Sequence, residues 1–147
     1  MTEKVEMKGE KAAIEAVLAA WGDAIGAKRA VEAESYLTED VVQYTLAPPL
    51  QYKGRDAEDL QQWFDTWDGP IGGDVRDTEL IAGADVALWR GLVHMTGTKT
   101  DGVKVDLWFR QTVGLRKISG DWKIAHVHGS VPFAMDGSGL AELGLKP

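Results

Sequence analysis

VKVDLWFRQTVGLRKISGDWKIAHVHGSVPFA, residues 103–134, carries the clearest structural signal in the chain. Apolar and polar side chains alternate on both sides of Ser119-Gly120, and a Ser-Gly pair between two alternating runs signals a hairpin. Two long strands are therefore expected, over 103–118 and 121–131. Strand residues two apart share a face. If no bulge intervenes, Trp122, Ile124, His126, His128 and Ser130 point one way. In the preceding strand Asp106, Trp108, Arg110 and Thr112 form one face, and Leu107, Phe109 and Val113 the other.

On the N-terminal side of this hairpin, Asp101-Gly102 is a second turn signal and Gly83 a break, so two further strands are expected over 74–82 and 84–98. The first half of the chain reads differently. Ile14, Val17, Leu18, Trp21, Ala24 and Ile25 make the stripe of an amphipathic helix from Glu10 to about Ala27, with Gly26 as its stop and residues 1–8 frayed. A shorter helix is expected from Arg29 to Leu37, ended by Thr38-Glu39-Asp40. VVQYTL, residues 41–46, suits a strand closed by Pro48 and Pro49, and 50–53 a short returning strand. Asp56 is placed as the N-cap of a third helix, with Asp59 as a capping-box partner. Its stripe is Leu60, Trp63, Phe64 and Trp67, and Asp68-Gly69-Pro70 breaks it. The tail from Met135 is Gly-rich, with a helical turn expected around Leu140–Leu143. Helices first and an antiparallel meander after define an α+β domain. Its expected form is a half-open, cone-shaped barrel with three N-terminal helices packed on a curved, mostly antiparallel sheet. A single domain spans 1–147, with its ordered core at about 10–134.

Composition excludes several functions. The 147 residues carry a net charge of −7, which disfavours nucleic acid and anionic membrane surfaces as partners. There is no cysteine, hence no disulfide, cysteine nucleophile or thiolate metal site. No stretch approaches ~20 consecutive apolar residues, and the charged N-terminus has no apolar signal core, so a cytoplasmic location is expected.

Five segments together resemble a known family: EDVVQYTLAPPLQYKG (39–54), W-x-x-x-W-x-G-P (63–70), HMTGTKTDG (94–102), WFRQT (108–112) and GDWKIAHVHGSVPF (120–133). They are similar to the SnoaL-like, ketosteroid-isomerase-like proteins of the nuclear transport factor 2-like superfamily. The W-x-I-x-H-x-H-x-S element is also similar to the association domain of calmodulin-dependent kinase II. The resemblance covers the chain from about residue 10 to its end. It implies a cone with a pocket in its concave face, a homodimer through the convex sheet face, and no required cofactor. It leaves open whether the chain is an isomerase, cyclase or hydrolase of a small apolar or carboxylate-bearing substrate, or a non-catalytic dimerisation or ligand-binding module, because this fold hosts many activities.

The candidate catalytic residues are His128, Arg110 and Asp106. A neutral imidazole or a carboxylate serves as general base, and a guanidinium clamps a carboxylate or oxyanion. The alternative for each is a structural hydrogen bond or ion pair within the sheet or across a dimer. Tyr44, Trp63, Trp67, His94, Trp108 and His126 are the candidate ligand-binding residues. His126-x-His128 lacks an evident third ligand in the spacing, so no metal is expected. Steroid isomerases of this superfamily use a carboxylate base opposed by a tyrosine and a protonated carboxyl, which together stabilise an enolate. Here the base position falls near Thr45 and the tyrosine position near Trp21, so that activity is not expected.

Overall fold

The computed structural model describes residues 2–147, with side chains from Met7 onward. Helix α1 spans Thr2–Gly26, α2 Ala30–Ser35 and α3 Ala57–Phe64. The strands are β1 (Leu37–Tyr44), β2 (Tyr52–Lys53), β3 (Trp67–Ala82), β4 (Val86–Lys99), β5 (Lys104–Ile118) and β6 (Asp121–Ser130). They form one open sheet in the order β2-β1-β6-β5-β4-β3. β1 runs parallel to β6 and every other pair is antiparallel.

The first helix begins at Thr2 rather than at Glu10. The Glu, Lys and Met residues ahead of the apolar stripe are good helix formers, and a packed helix propagates through such a segment at little cost. The expected fraying of residues 2–8 is thus replaced by helix; Met1 lies outside the described residues. α1 ends at Gly26, where an added Cβ would lie 3.0 Å from the Ile71 carbonyl, so a side chain there would push the β3 backbone by a few tenths of an ångström.

The third helix is shorter than its apolar spacing suggests. Asp56 caps it, accepting from the Asp59 N–H at 2.9 Å, and the helix ends at Phe64. Trp67 is the first residue of β3, not a further turn of α3. The turn between them is closed by Thr66, whose N–H and hydroxyl both donate to the Trp63 carbonyl. Asp68-Gly69-Pro70 does not end the element; a register shift between Asp68 and Gly72 absorbs it within β3.

β1 starts at Leu37, ahead of the expected Val41, because Leu37 and Val41 both reach the core. The β5–β6 hairpin follows its turn chemistry, whereas in the β4–β5 turn Gly102 alone takes positive φ, at 88°. Ser119 and Gly120 both have positive φ, at 51° and 86°, as a type I′ turn requires. At the tail no helical turn forms. Gly137 and Gly139 take positive φ and reverse the chain, so Phe133 pairs with Ala141 instead.

All three helices lie on one face of the sheet. Ile14, Trp21 and Ala24 of α1 and Ala33 of α2 pack with Val41, Ala87, Val113, Leu115, Trp122, Ile124 and Val127. A second cluster joins Ala30, Phe64, Trp67 and Ile71, with Leu60, Met95 and Val105 against it. The core between helices and sheet centres on Phe64, Ile14, Leu115, Ile124, Val41 and Val113, each at most 1% exposed.

Candidate functional site

Register decides where the candidate residues go. In β5 the buried Val113 and Leu115 point to the helices, so by alternation Asp106, Trp108, Arg110 and Thr112 point away from them. β4 pairs with β5 without a shift, setting His94 opposite Trp108, Leu92 opposite Arg110 and Arg90 opposite Thr112 on that outer face. In β6 the register breaks: Gly114 pairs with His126 but Leu115 with Ile124, leaving Ala125 as the extra residue of a bulge. Beyond it the faces exchange. Trp122, Ile124 and Val127 go to the core, whereas His126 and His128 go outside. The single face expected for Trp122, Ile124, His126, His128 and Ser130 is therefore split.

Seven of the nine candidates share the outer face, in two groups. In the first, the His94 ring stacks on Trp108 with centroids 4.5 Å apart and planes 4° from parallel. His94 Nε2 lies 2.6 Å from Asp106 Oδ1. A carboxylate accepts, so Nε2 carries the proton there. The Arg76 guanidinium sits 5.8 Å from the Trp108 centroid. In the second group the Tyr44 ring meets His126 and His128 edge-on, at 4.7 and 5.2 Å. His126 Nδ1 donates to the Val42 carbonyl at 2.7 Å, which ties β6 to β1 and fixes the imidazole. Between the groups, Arg110 Nε donates to Ser130 Oγ at 3.2 Å.

Trp63 and Trp67 lie on the other side of the sheet, with the helices, so the nine do not converge on one cavity. Trp67 is buried and Trp63 is 38% exposed, their rings edge-on at 5.6 Å. Lys99 Nζ lies 4.2 Å from the Trp67 centroid, and burial pulls its pKa below the ordinary lysine value against the opposing charge of Asp101. Trp67 packs over Gly97, where an added Cβ would come 2.8 Å from its ring. These two tryptophans thus close the α3 end of the core.

The isomerase positions are equally plain. Trp21 is a core residue with no hydroxyl, and Thr45 is an exposed loop residue donating to the Ala47 carbonyl at 2.9 Å. Among the described residues no group of three or more His, Asp or Glu side chains is placed to hold a metal ion.

Among the described residues, two surface hollows stand out. One of about 430 Å³, between α1 and β3–β4, is lined by Lys11, Glu15, Thr78, Glu79, Leu80 and Trp89. The other, of about 290 Å³, is lined by Asp77, Arg90, Gly91, Leu92, Arg110, Gln111 and Thr112. Arg76 escapes a reading of the sequence because its pairing with Leu92 depends on the irregular register of β3, which shifts twice. Glu34 is also invisible from sequence. It is only 7% exposed, accepts from the Asp56 N–H at 3.2 Å, and leaves its second oxygen unpartnered. Burial raises its pKa above the ordinary carboxyl value.

Comparison with known proteins agrees with this architecture. The SnoaL-like domain family matches residues 14–134. A nuclear transport factor 2-like protein of unknown function from Pseudomonas putida KT2440 superposes with a TM-score of 0.85 at 23% identity, over 95% of this chain and 98% of its own. A ketosteroid isomerase-like protein from Erwinia carotovora atroseptica gives 0.69 at 25% identity, over 81% and 93%. A nuclear transport factor 2-like protein with a cystatin-like fold from Novosphingobium aromaticivorans gives 0.70 at 15%, over 93% and 89%. No curated protein matches the chain.

Proposed function

This chain belongs to the SnoaL-like family of the nuclear transport factor 2-like superfamily, and we propose that it is a non-catalytic module that self-associates through the outer face of its sheet. The observation that carries this reading is the population of that face. Leu88 is 42% exposed, Val86 59% and Ile81 56%, all pointing away from the helices at the β3–β4 turn end of the face, with Leu92 and Trp108 further along it. Guanidiniums and carboxylates interleave with them: Arg76, Arg90 and Arg110 against Asp74, Glu79 and Asp106. A face that carries both signs of charge and an exposed apolar patch can meet its own copy across a two-fold axis. Its size suffices. Five strands at ~4.8 Å spacing and about ten residues of ~3.3 Å rise give roughly 800 Å², the area each partner of a standard interface buries.

Isomerase, cyclase or hydrolase chemistry has less support. Such a reaction needs its acid, base and oxyanion donor around one enclosed substrate. Here His94, His126 and Asp106 engage sheet partners on an open face, and the hollow on the helix side of the sheet is lined by none of the nine candidates.

Sedimentation or light scattering tests the proposal. The native chain is expected at twice its monomer mass at micromolar concentration. Leu88→Asp, which puts a charge at the centre of the apolar patch, should give a monomer with unchanged circular dichroism. A native chain that runs as a monomer would sink the reading.

A further inference from the structure

The 290 Å³ hollow lies where β3, β4 and β5 face away from the helices, and its charged groups are unevenly partnered. Three charged residues line it: Arg90, Arg110 and Asp77. Arg90 is ion-paired with Glu79. Asp106, the other carboxylate on this part of β5, is engaged by His94. Arg110 has no carboxylate within ion-pair distance among the described residues; its contact is the Ser130 hydroxyl, through Nε. That bond uses Nε on the β6 side, and the Nη donors of this lining residue make no hydrogen bond among the described residues.

We infer that this hollow is a binding site for a small oxyanion, a carboxylate or a phosphate, gripped by the Arg110 guanidinium. The planar fork of arginine matches such a group with two parallel, charge-assisted hydrogen bonds. The Thr112 hydroxyl, on the same rim and opposite Arg90, supplies a further donor. Leu92, directly opposite Arg110, offers an apolar surface to the body of the ligand. Asp77 and the nearby Glu79 restrict the site. They repel extended polyanions, as does the net charge of −7, but leave room for one compact anion beside Arg110. The site is formed within a single chain and lies on the face proposed above to self-associate, so a partner copy would compete with the anion for it.

Calorimetric titration of the full chain with benzoate, acetate and inorganic phosphate, each separately, tests this. Saturable one-to-one binding of at least one of them is expected, and the order of the three affinities tells a carboxylate site from a phosphate site. Arg110→Gln should weaken that binding by at least about tenfold, the scale of one lost charge-assisted pair. Arg116→Gln removes the same charge from the same strand face but outside the hollow, and should leave affinity within about twofold. Leu88→Asp should bind at least as tightly as the native chain, because no partner copy then covers the hollow. No saturable binding of any probe, or equal losses from Arg110→Gln and Arg116→Gln, would overturn the inference. So would weakened self-association in Arg110→Gln without any anion binding, because a partner copy's carboxylate would then occupy the hollow.

Discussion

Two glutamates illustrate opposite uses of a carboxyl group. Glu10 reaches from α1 to the β5–β6 hairpin, accepting from Lys117 Nζ at 2.6 Å and from the Trp122 indole. Those hydrogen bonds hold its pKa below the ordinary value. A lowered pKa means that the unfolded chain binds more protons, so the stabilisation is full near neutral pH and fades as pH falls through the folded-state pKa. Glu10→Gln is expected to lower Tm most near neutral pH, with the gap to the native chain closing in acid. Glu34 has the reverse sign. Burial raises its pKa, the folded chain binds more protons, and stability falls as pH rises through the window above the ordinary carboxyl pKa. Glu34→Gln keeps an acceptor for the Asp56 N–H and removes the buried charge. It should gain about 1 kcal/mol near neutral pH, the low end of the cost of an unsatisfied buried polar group, and nothing once Glu34 is protonated. Thermal melts of both variants across pH separate the two signs.

Within the strands, small backbone irregularities place whole side-chain sets. The extra residue Ala125 decides which face of the sheet His126 and His128 occupy. Deleting it would carry both imidazoles inward and Val127 outward, and the chain should lose its cooperative melt. Gly97 has a comparable role for α3. Its φ of 157° and its bare Cα let Trp67 lie against β4. Gly97→Ala should destabilise by about 1–3 kcal/mol, the range for overpacking a core. Gly73→Ala, on the neighbouring strand with nothing within 4 Å of its added Cβ, should be close to neutral. Urea denaturation of the pair checks the contrast.

Across the fold as a unit, β4, β5 and β6 form the centre of the sheet and β2 and β3 its edges. Hydrogen exchange should be slowest at Val113, Leu115, Ile124 and Val127, where a central ladder lies under buried side chains, and fastest in β2 and the tail. Uniform protection across β2 and β5 would contradict this order. Much of the architecture is legible in the residues. The alternation over 103–134, the Ser119-Gly120 turn, the stripe of α1 and the Asp56 cap each have one low-energy conformation, set by neighbours within a few positions. Chain-local physics determines these, and with them an α+β domain of this family. The placement of the candidate site is different. Whether His128 faces core or solvent depends on one bulge, whether Trp67 ends a helix or starts a strand depends on Gly97 across the sheet, and Arg76 reaches Trp108 only through the shifted register of β3. These outcomes follow from pairing between segments far apart in the chain. A period of two tells which residues travel together, whereas only the assembled sheet decides toward which side they point.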